Sequence, residues 1–124
     1  MRTNKQLAAS RQIHAAIKHY RMNEFECAIT LCSAAEGQIP EPKSPIHLFG
    51  VLRQFVIQHP SADSEKDDFN FAANWLKHEW GNDEVEIDET LVIFWLNRAI
   101  SKYREFYRSG TPEMVEIFPW AAGT

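Results

Sequence analysis

Apolar side chains recur at intervals of three and four residues along most of the chain, which is the spacing of one face of an α-helix. Ile13, Ile17 and Tyr20 follow this spacing and predict a first helix over residues 4–21. A second helix is predicted to begin at Asn23, because Asn23 with a glutamate three residues later has the spacing of a capping box.

The second predicted helix has a continuous stripe on one face, made by Phe25, Ile29, Cys32 and Glu36. Gly37 and Pro40 are predicted to end this helix, because glycine favours the left-handed backbone at helix ends and proline cannot continue a helix. Cys32 is expected to be a small core residue. Cys27 and Cys32 point to different faces of the helix, so no disulfide between them is expected.

The remaining helices are bounded by Pro, Gly and polar clusters. They are predicted over residues 44–60, 65–80 and 88–108, with a short C-terminal helix over residues 111–118. Short connections make neighbouring helices antiparallel. The sequence therefore predicts one all-α domain over residues 1–124, an up-and-down helical bundle of four to five main helices plus a short C-terminal helix.

Two of the predicted helices carry more apolar surface than one buried stripe requires. Phe71 and Trp75 lie away from the main stripe of the fourth predicted helix, and residues 91–96 surround the fifth with apolar side chains. Either these helices are central in the bundle or another subunit covers the extra face. We favour a homodimer formed through the fourth and fifth predicted helices.

Composition narrows the class of protein without identifying it. The formal net charge of −4 gives no electrostatic support for nonspecific binding to nucleic acid. The late helix is basic, but its charged residues are expected to form a solvated surface; they are Arg98, Lys102, Arg104 and Arg108. The N-terminus lacks the apolar run of a signal peptide and no stretch is long enough to span a membrane, so a cytoplasmic location is expected.

Glu36 is the most informative charged residue, because it continues an apolar stripe. A buried carboxylate is costly unless it is paired, so a partner such as Arg53, Lys77 or His78 is expected. One interpretation makes Glu36 a ligand-binding carboxylate. The other makes it a structural group, hydrogen-bonded within the bundle near the end of its helix.

Asn74 and His78 are four residues apart and share one face of the fourth predicted helix, beside Trp75 and next to Lys77. These four residues, together with Glu36, are the candidate ligand-binding residues. An amide and an imidazole on an aromatic face can bind a polar ligand, and His78 can act as a general acid or base near neutral pH. The alternative is a histidine that is satisfied at an interface. No metal site and no cofactor are expected, because zinc and di-iron motifs are absent.

Segment 71–78, with the sequence FAANWLKH, resembles the helical HEPN domains, named for higher eukaryote and prokaryote nucleotide binding. The resemblance implies a four- or five-helix bundle that dimerises, and active members are metal-independent ribonucleases. Their motif has an arginine, a polar residue, a short spacer and a histidine at the dimer interface. Asn74 matches the polar position and His78 the histidine, while Ala73 stands in the arginine position.

Alanine cannot stabilise charge that develops on a phosphate, so this departure weighs against catalysis. Arg53 or Arg98 could replace the missing arginine if the fold brought either one close. We therefore expect a noncatalytic HEPN-like binding or interaction module, for a nucleotide, RNA or a protein partner. The alternatives are a ribonuclease or toxin-like enzyme that uses His78, and a purely structural interaction protein.

Overall fold

A computed structural model of the chain describes residues 1–42, 71–79, 81 and 83–118. These residues are all-α, as predicted, and contain no strand. The helices that they form are α1 (Lys5–Arg21), α2 (Phe25–Gln38), α3 (Phe71–Lys77), α4 (Glu89–Tyr107) and α5 (Pro112–Ile117). The helix predicted over residues 44–60 lies outside the described residues, and none of the described helices is long and apolar enough to cross a membrane.

Side-chain caps define where three of the helices begin. The Oδ1 atom of Asn4 accepts a hydrogen bond from the backbone N–H of Leu7 at 2.7 Å, and Asp88 Oδ1 accepts one from Leu91 N–H at 2.9 Å. Thr111 Oγ1 accepts from Met114 N–H at 3.3 Å, directly before the proline that begins α5. Each cap satisfies a backbone donor that has no partner within its helix, which confirms the predicted N-termini of α1, α4 and α5.

The prediction for the start of α2 was wrong. Asn23 does not cap a helix but has φ 61, in the left-handed region that asparagine tolerates better than most residues. Glu24 is the N-cap residue without a side-chain cap bond, and its carboxylate lies instead against His19. This conformation reverses the chain between α1 and α2 within a short turn.

The end of α2 also differs from the prediction. Gly37 is not a stop signal but lies within the helix, which continues to Gln38. Ile39 then takes an extended conformation, the one that a following proline favours, since Pro40 would clash with a helical residue before it. The extra residues keep Glu36 and Gly37 helical, which fixes the direction of the Glu36 side chain.

The core lies between α1, α2 and α4. Ile13 and Ile17 of α1, and Ile29 and Cys32 of α2, are at most 2% exposed, as their stripes predicted. Trp95 is the largest fully buried side chain among the described residues and extends from α4 into the same cluster. Burial raises the pKa of the Cys32 thiol, and the nearby Glu36 carboxylate raises it further. Cys32 is therefore a core residue that stays protonated.

The apolar run on α4 is covered within the single chain. Four of the six residues 91–96 are buried or nearly so, and the other two, Leu91 and Ile93, are half-buried. α4 packs against both α1 and α2, and α2 also packs against α3. The central position of α4 thus accounts for its apolar run without a second subunit.

The cap of α4 supplies a test of the fold. We expect Asp88→Ala to lower the free energy of unfolding by about 1 kcal/mol, because a backbone donor at the helix N-terminus loses its acceptor. Urea denaturation at neutral pH measures this change. Asp83→Ala is the matched control, an exposed aspartate outside any helix, and is expected to change stability by less than about 0.5 kcal/mol. Equal effects of the two substitutions would contradict the cap.

Candidate functional site

A pocket of about 270 Å³ opens where α2, α3 and α4 meet. The described residues that line it are Ser33, Glu36 and Gly37 of α2, Ala73, Asn74 and Lys77 of α3, and Trp95 and Arg98 of α4. Three of the predicted ligand-binding residues, Glu36, Asn74 and Lys77, therefore lie together. The pocket is small, and most of its side chains are polar or charged.

An ion pair between Glu36 and Arg98 forms one side of the pocket. Arg98 Nε donates a hydrogen bond to Glu36 Oε2 at 2.7 Å. The two side chains are 13% and 18% exposed, so both groups have lost most of their contact with water. A carboxylate in this position requires a cation, because the cost of removing it from water is otherwise several kcal/mol.

A second cation of α4 binds the backbone at the end of α2. Lys102 Nζ donates to the carbonyl oxygen of Glu36 at 3.0 Å and lies 3.6 Å from Glu41 Oε2. The C-terminal carbonyls of a helix carry partial negative charge, so a lysine is favourable there. Lys102 is 8% exposed, and the expectation of a solvated basic surface was therefore wrong for Lys102 and for the mostly buried Arg98.

The Trp95 indole lies beneath the arginine. The Arg98 guanidinium carbon is 4.5 Å from the centre of the Trp95 ring, which is within the range of a cation–π interaction. Trp95 Nε1 is buried and has no hydrogen-bond acceptor in the described part of the chain. A buried donor without an acceptor costs about 1–3 kcal/mol, so the pocket wall contains one costly polar group.

His78 and Trp75 do not line this pocket. The His78 side chain is exposed, and its backbone N–H donates to the Asn74 carbonyl at 3.1 Å. Within the described residues the His78 imidazole makes no hydrogen bond. The half-buried Trp75 lies beside Gly81. The fold thus brings Glu36 and Asn74 to one site and leaves the predicted acid–base residue outside it.

The true partner of Glu36 was missed by the sequence analysis. Arg53, Lys77 and His78 were expected, and the ion pair instead involves Arg98. Arg53 lies outside the described residues, while Lys77 lines the same pocket. A signal did exist: Arg98 and Lys102 are four residues apart, and Trp95 precedes Arg98 by three, so all three share the face of α4 that must meet α2.

Comparisons of the chain with protein-family models, curated proteins and solved structures found no match. The resemblance to HEPN domains rests on the residues of segment 71–78 and remains a prediction. The pocket geometry is consequently the basis for any proposal about function.

The Glu36–Arg98 pair can be measured with a double-mutant cycle. For Glu36→Gln, Arg98→Met and the double variant, we expect a coupling energy of about 1–3 kcal/mol in urea denaturation, because each single change leaves a poorly hydrated charge without its partner. Arg21 and Glu116 form an exposed ion pair at 3.2 Å and provide the control cycle, with an expected coupling of roughly 0.5 kcal/mol or less. If the stability changes of the two single variants simply added up in the double variant, the Glu36–Arg98 ion pair would be contradicted.

Proposed function

We propose that the chain is a noncatalytic, HEPN-like binding module, and that the pocket between α2, α3 and α4 binds a nucleotide through its phosphate. The observation that carries this proposal is the convergence of Asn74, Lys77 and Arg98 on one pocket. An amide, an ammonium and a guanidinium are all hydrogen-bond donors, and the two cations attract phosphate.

The charges that line the pocket favour an anion. The described lining residues include two cations, Lys77 and Arg98, and one carboxylate, Glu36. Glu36 holds Arg98 by its Nε atom, which orients the guanidinium before a ligand arrives and reduces the cost of binding.

The size of the pocket bears on the kind of ligand that it can hold. The pocket volume of about 270 Å³ suits part of a nucleotide better than a whole RNA segment. RNA or a protein partner therefore ranks second as a ligand.

Two features favour binding over catalysis. Ala73 occupies the position of the motif arginine, and the exposed His78 is not among the lining residues. One observation favours the ribonuclease alternative, since Arg98 supplies a guanidinium to the pocket that contains Asn74. Incubation of the chain and of a His78→Ala variant with labelled RNA separates the two proposals. Cleavage that depends on His78 would replace the binding proposal with the enzyme.

Ligand binding is tested with adenosine 5′-monophosphate, inorganic phosphate and adenosine as separate probes. We expect the monophosphate to shift the NMR signals of Asn74 and Lys77, phosphate to shift them more weakly, and adenosine to have little effect. Lys77→Ala should weaken binding of the monophosphate about tenfold, because a charge-assisted hydrogen bond of about 1.5 kcal/mol is lost.

Lys5→Ala is the matched control for ligand binding, since Lys5 begins α1 and does not line the pocket. This variant is expected to bind the monophosphate like the original chain. Absence of any shift at Asn74 with the monophosphate, or equal loss of affinity in both lysine variants, would refute the phosphate site.

A homodimer and a cytoplasmic location belong to the same proposal. Both cysteines are free, as is usual for a protein in a reducing compartment. The half-buried apolar side chains of Leu76 on α3 and of Leu91 and Ile93 on α4 support the dimer. Light scattering after size-exclusion chromatography is expected to give twice the 14.4 kDa chain mass. A single species at 14.4 kDa at micromolar concentration would refute the dimer.

A further inference from the structure

The turn between α1 and α2 brings together three side chains that can bind a metal. His19 lies in the last turn of α1, Glu24 is the N-cap residue of α2, and Cys27 lies in the first turn of α2. One ligand atom from each side chain lies within 4.8 Å of the other two. We propose that this cluster binds one divalent transition-metal ion of the zinc class, at a site separate from the pocket.

The backbone of the turn holds the three residues at a fixed spacing. The Glu24 N–H donates to the His19 carbonyl at 2.9 Å, and the Asn23 N–H donates to the Tyr20 carbonyl at 3.0 Å. Asn23 has the left-handed conformation that closes the turn. Because α1 and α2 also pack along their lengths, His19 and Cys27 are positioned by two helices that are held together by the core.

The donor set selects the type of metal. Imidazole nitrogen, carboxylate oxygen and thiolate sulfur together suit zinc and its neighbours, whereas Mg²⁺ and Ca²⁺ prefer oxygen ligands alone. With metal–ligand bonds of about 2.0–2.3 Å, tetrahedral ligand atoms are separated by roughly 3.3–3.8 Å. The observed cluster, with all separations within 4.8 Å, needs only small side-chain rotations to reach these values.

Metal binding would change both the hydrogen bond within the cluster and the protonation of its ligands. His19 Nδ1 and Glu24 Oε1 are 2.6 Å apart and share a hydrogen bond, which the ion would replace by binding between them. The imidazole would then carry its proton on Nε2, and the Cys27 thiol would release its proton to the buffer. No change in oxidation state is involved.

The cluster is accessible to an ion from solvent. The His19 and Glu24 side chains are 33% and 45% exposed, and Cys27 is exposed. Three protein ligands leave a fourth tetrahedral position for water. The three ligands are divided between the end of α1 and the start of α2, so they form no paired-cysteine or single-helix motif in the sequence.

The test uses the full, tag-free chain in a buffer that keeps cysteines reduced. Titration with Co²⁺ is expected to produce a sulfur-to-cobalt charge-transfer band at one equivalent per chain, and Zn²⁺ is expected to remove the band by displacement. Mg²⁺ in excess should do neither. Competition against a chromogenic chelator then gives the zinc affinity.

Substitution of each ligand in turn should weaken or abolish metal binding. Cys27→Ser should abolish the sulfur-to-cobalt band, and His19→Ala and Glu24→Gln should each weaken zinc binding by roughly 100-fold or more, since even changes around a ligand cost 10–100-fold. Glu26→Gln is the matched control, because it removes an exposed carboxylate beside Cys27 that does not belong to the cluster. Circular dichroism checks that every variant is folded.

Three results would overturn the metal site. They are absence of the charge-transfer band from the unsubstituted chain, a band that survives Cys27→Ser, and zinc affinity that falls equally in Glu24→Gln and Glu26→Gln. In each case the cluster would be only a hydrogen-bonded histidine–glutamate pair that stabilises the turn.

A further measurement does not depend on spectroscopy. Zn²⁺, but not Mg²⁺, should slow alkylation of the Cys27 thiol, and equal alkylation rates with both ions would also contradict the site.

Discussion

The need to neutralise Glu36 is the constraint on which the arrangement of α2 and α4 depends. Its carboxylate continues the core stripe of α2 and is mostly removed from water. Arg98 neutralises the side chain, and Lys102, one turn later on α4, binds the carbonyl of the same residue. Because hydrogen bonds tolerate only small changes in distance, these two contacts favour the observed position of α4 along α2. Apolar packing alone would permit others.

The pocket lies beside the Glu36–Arg98 pair. Small residues keep this space open, since Gly37 has no side chain and α3 presents the buried Ala73 to α2. Asn74 and Lys77 follow Ala73 on α3 and thereby reach the same pocket. A structural role of Glu36 is thus compatible with its proposed role in a ligand site.

Features that depend on neighbouring residues were predictable from the sequence. Asn4, Asp88 and Thr111 cap their helices because a short polar side chain and the backbone donors of the next turn are local to one another. Asn23 shows the limit of this reasoning, because asparagine suits a cap and a left-handed turn equally well. In this chain Asn23 takes the left-handed conformation, in the turn that allows α1 to pack against α2.

The composition of the site was predictable only in part. The apolar stripe identified Glu36 as a partly buried residue, and helical spacing placed Asn74 and His78 on one face of the fourth predicted helix. Nothing local relates Glu36 to Arg98, which are 62 residues apart, so the choice among distant cations could not be made from the sequence and Arg98 was missed. His78 shares a helix face with Asn74 but α3 ends at Lys77, and the side chain lies outside the pocket.

The most direct test of this account is the NMR signal of the Arg98 Nε–H group. If Glu36 holds that group in a half-buried hydrogen bond, its proton should exchange slowly with water in the unsubstituted chain and rapidly in a folded Glu36→Gln variant. Rapid exchange in both proteins would contradict the account, because Arg98 would then not be bound to Glu36, and neither the position of α4 nor the pocket could depend on that contact.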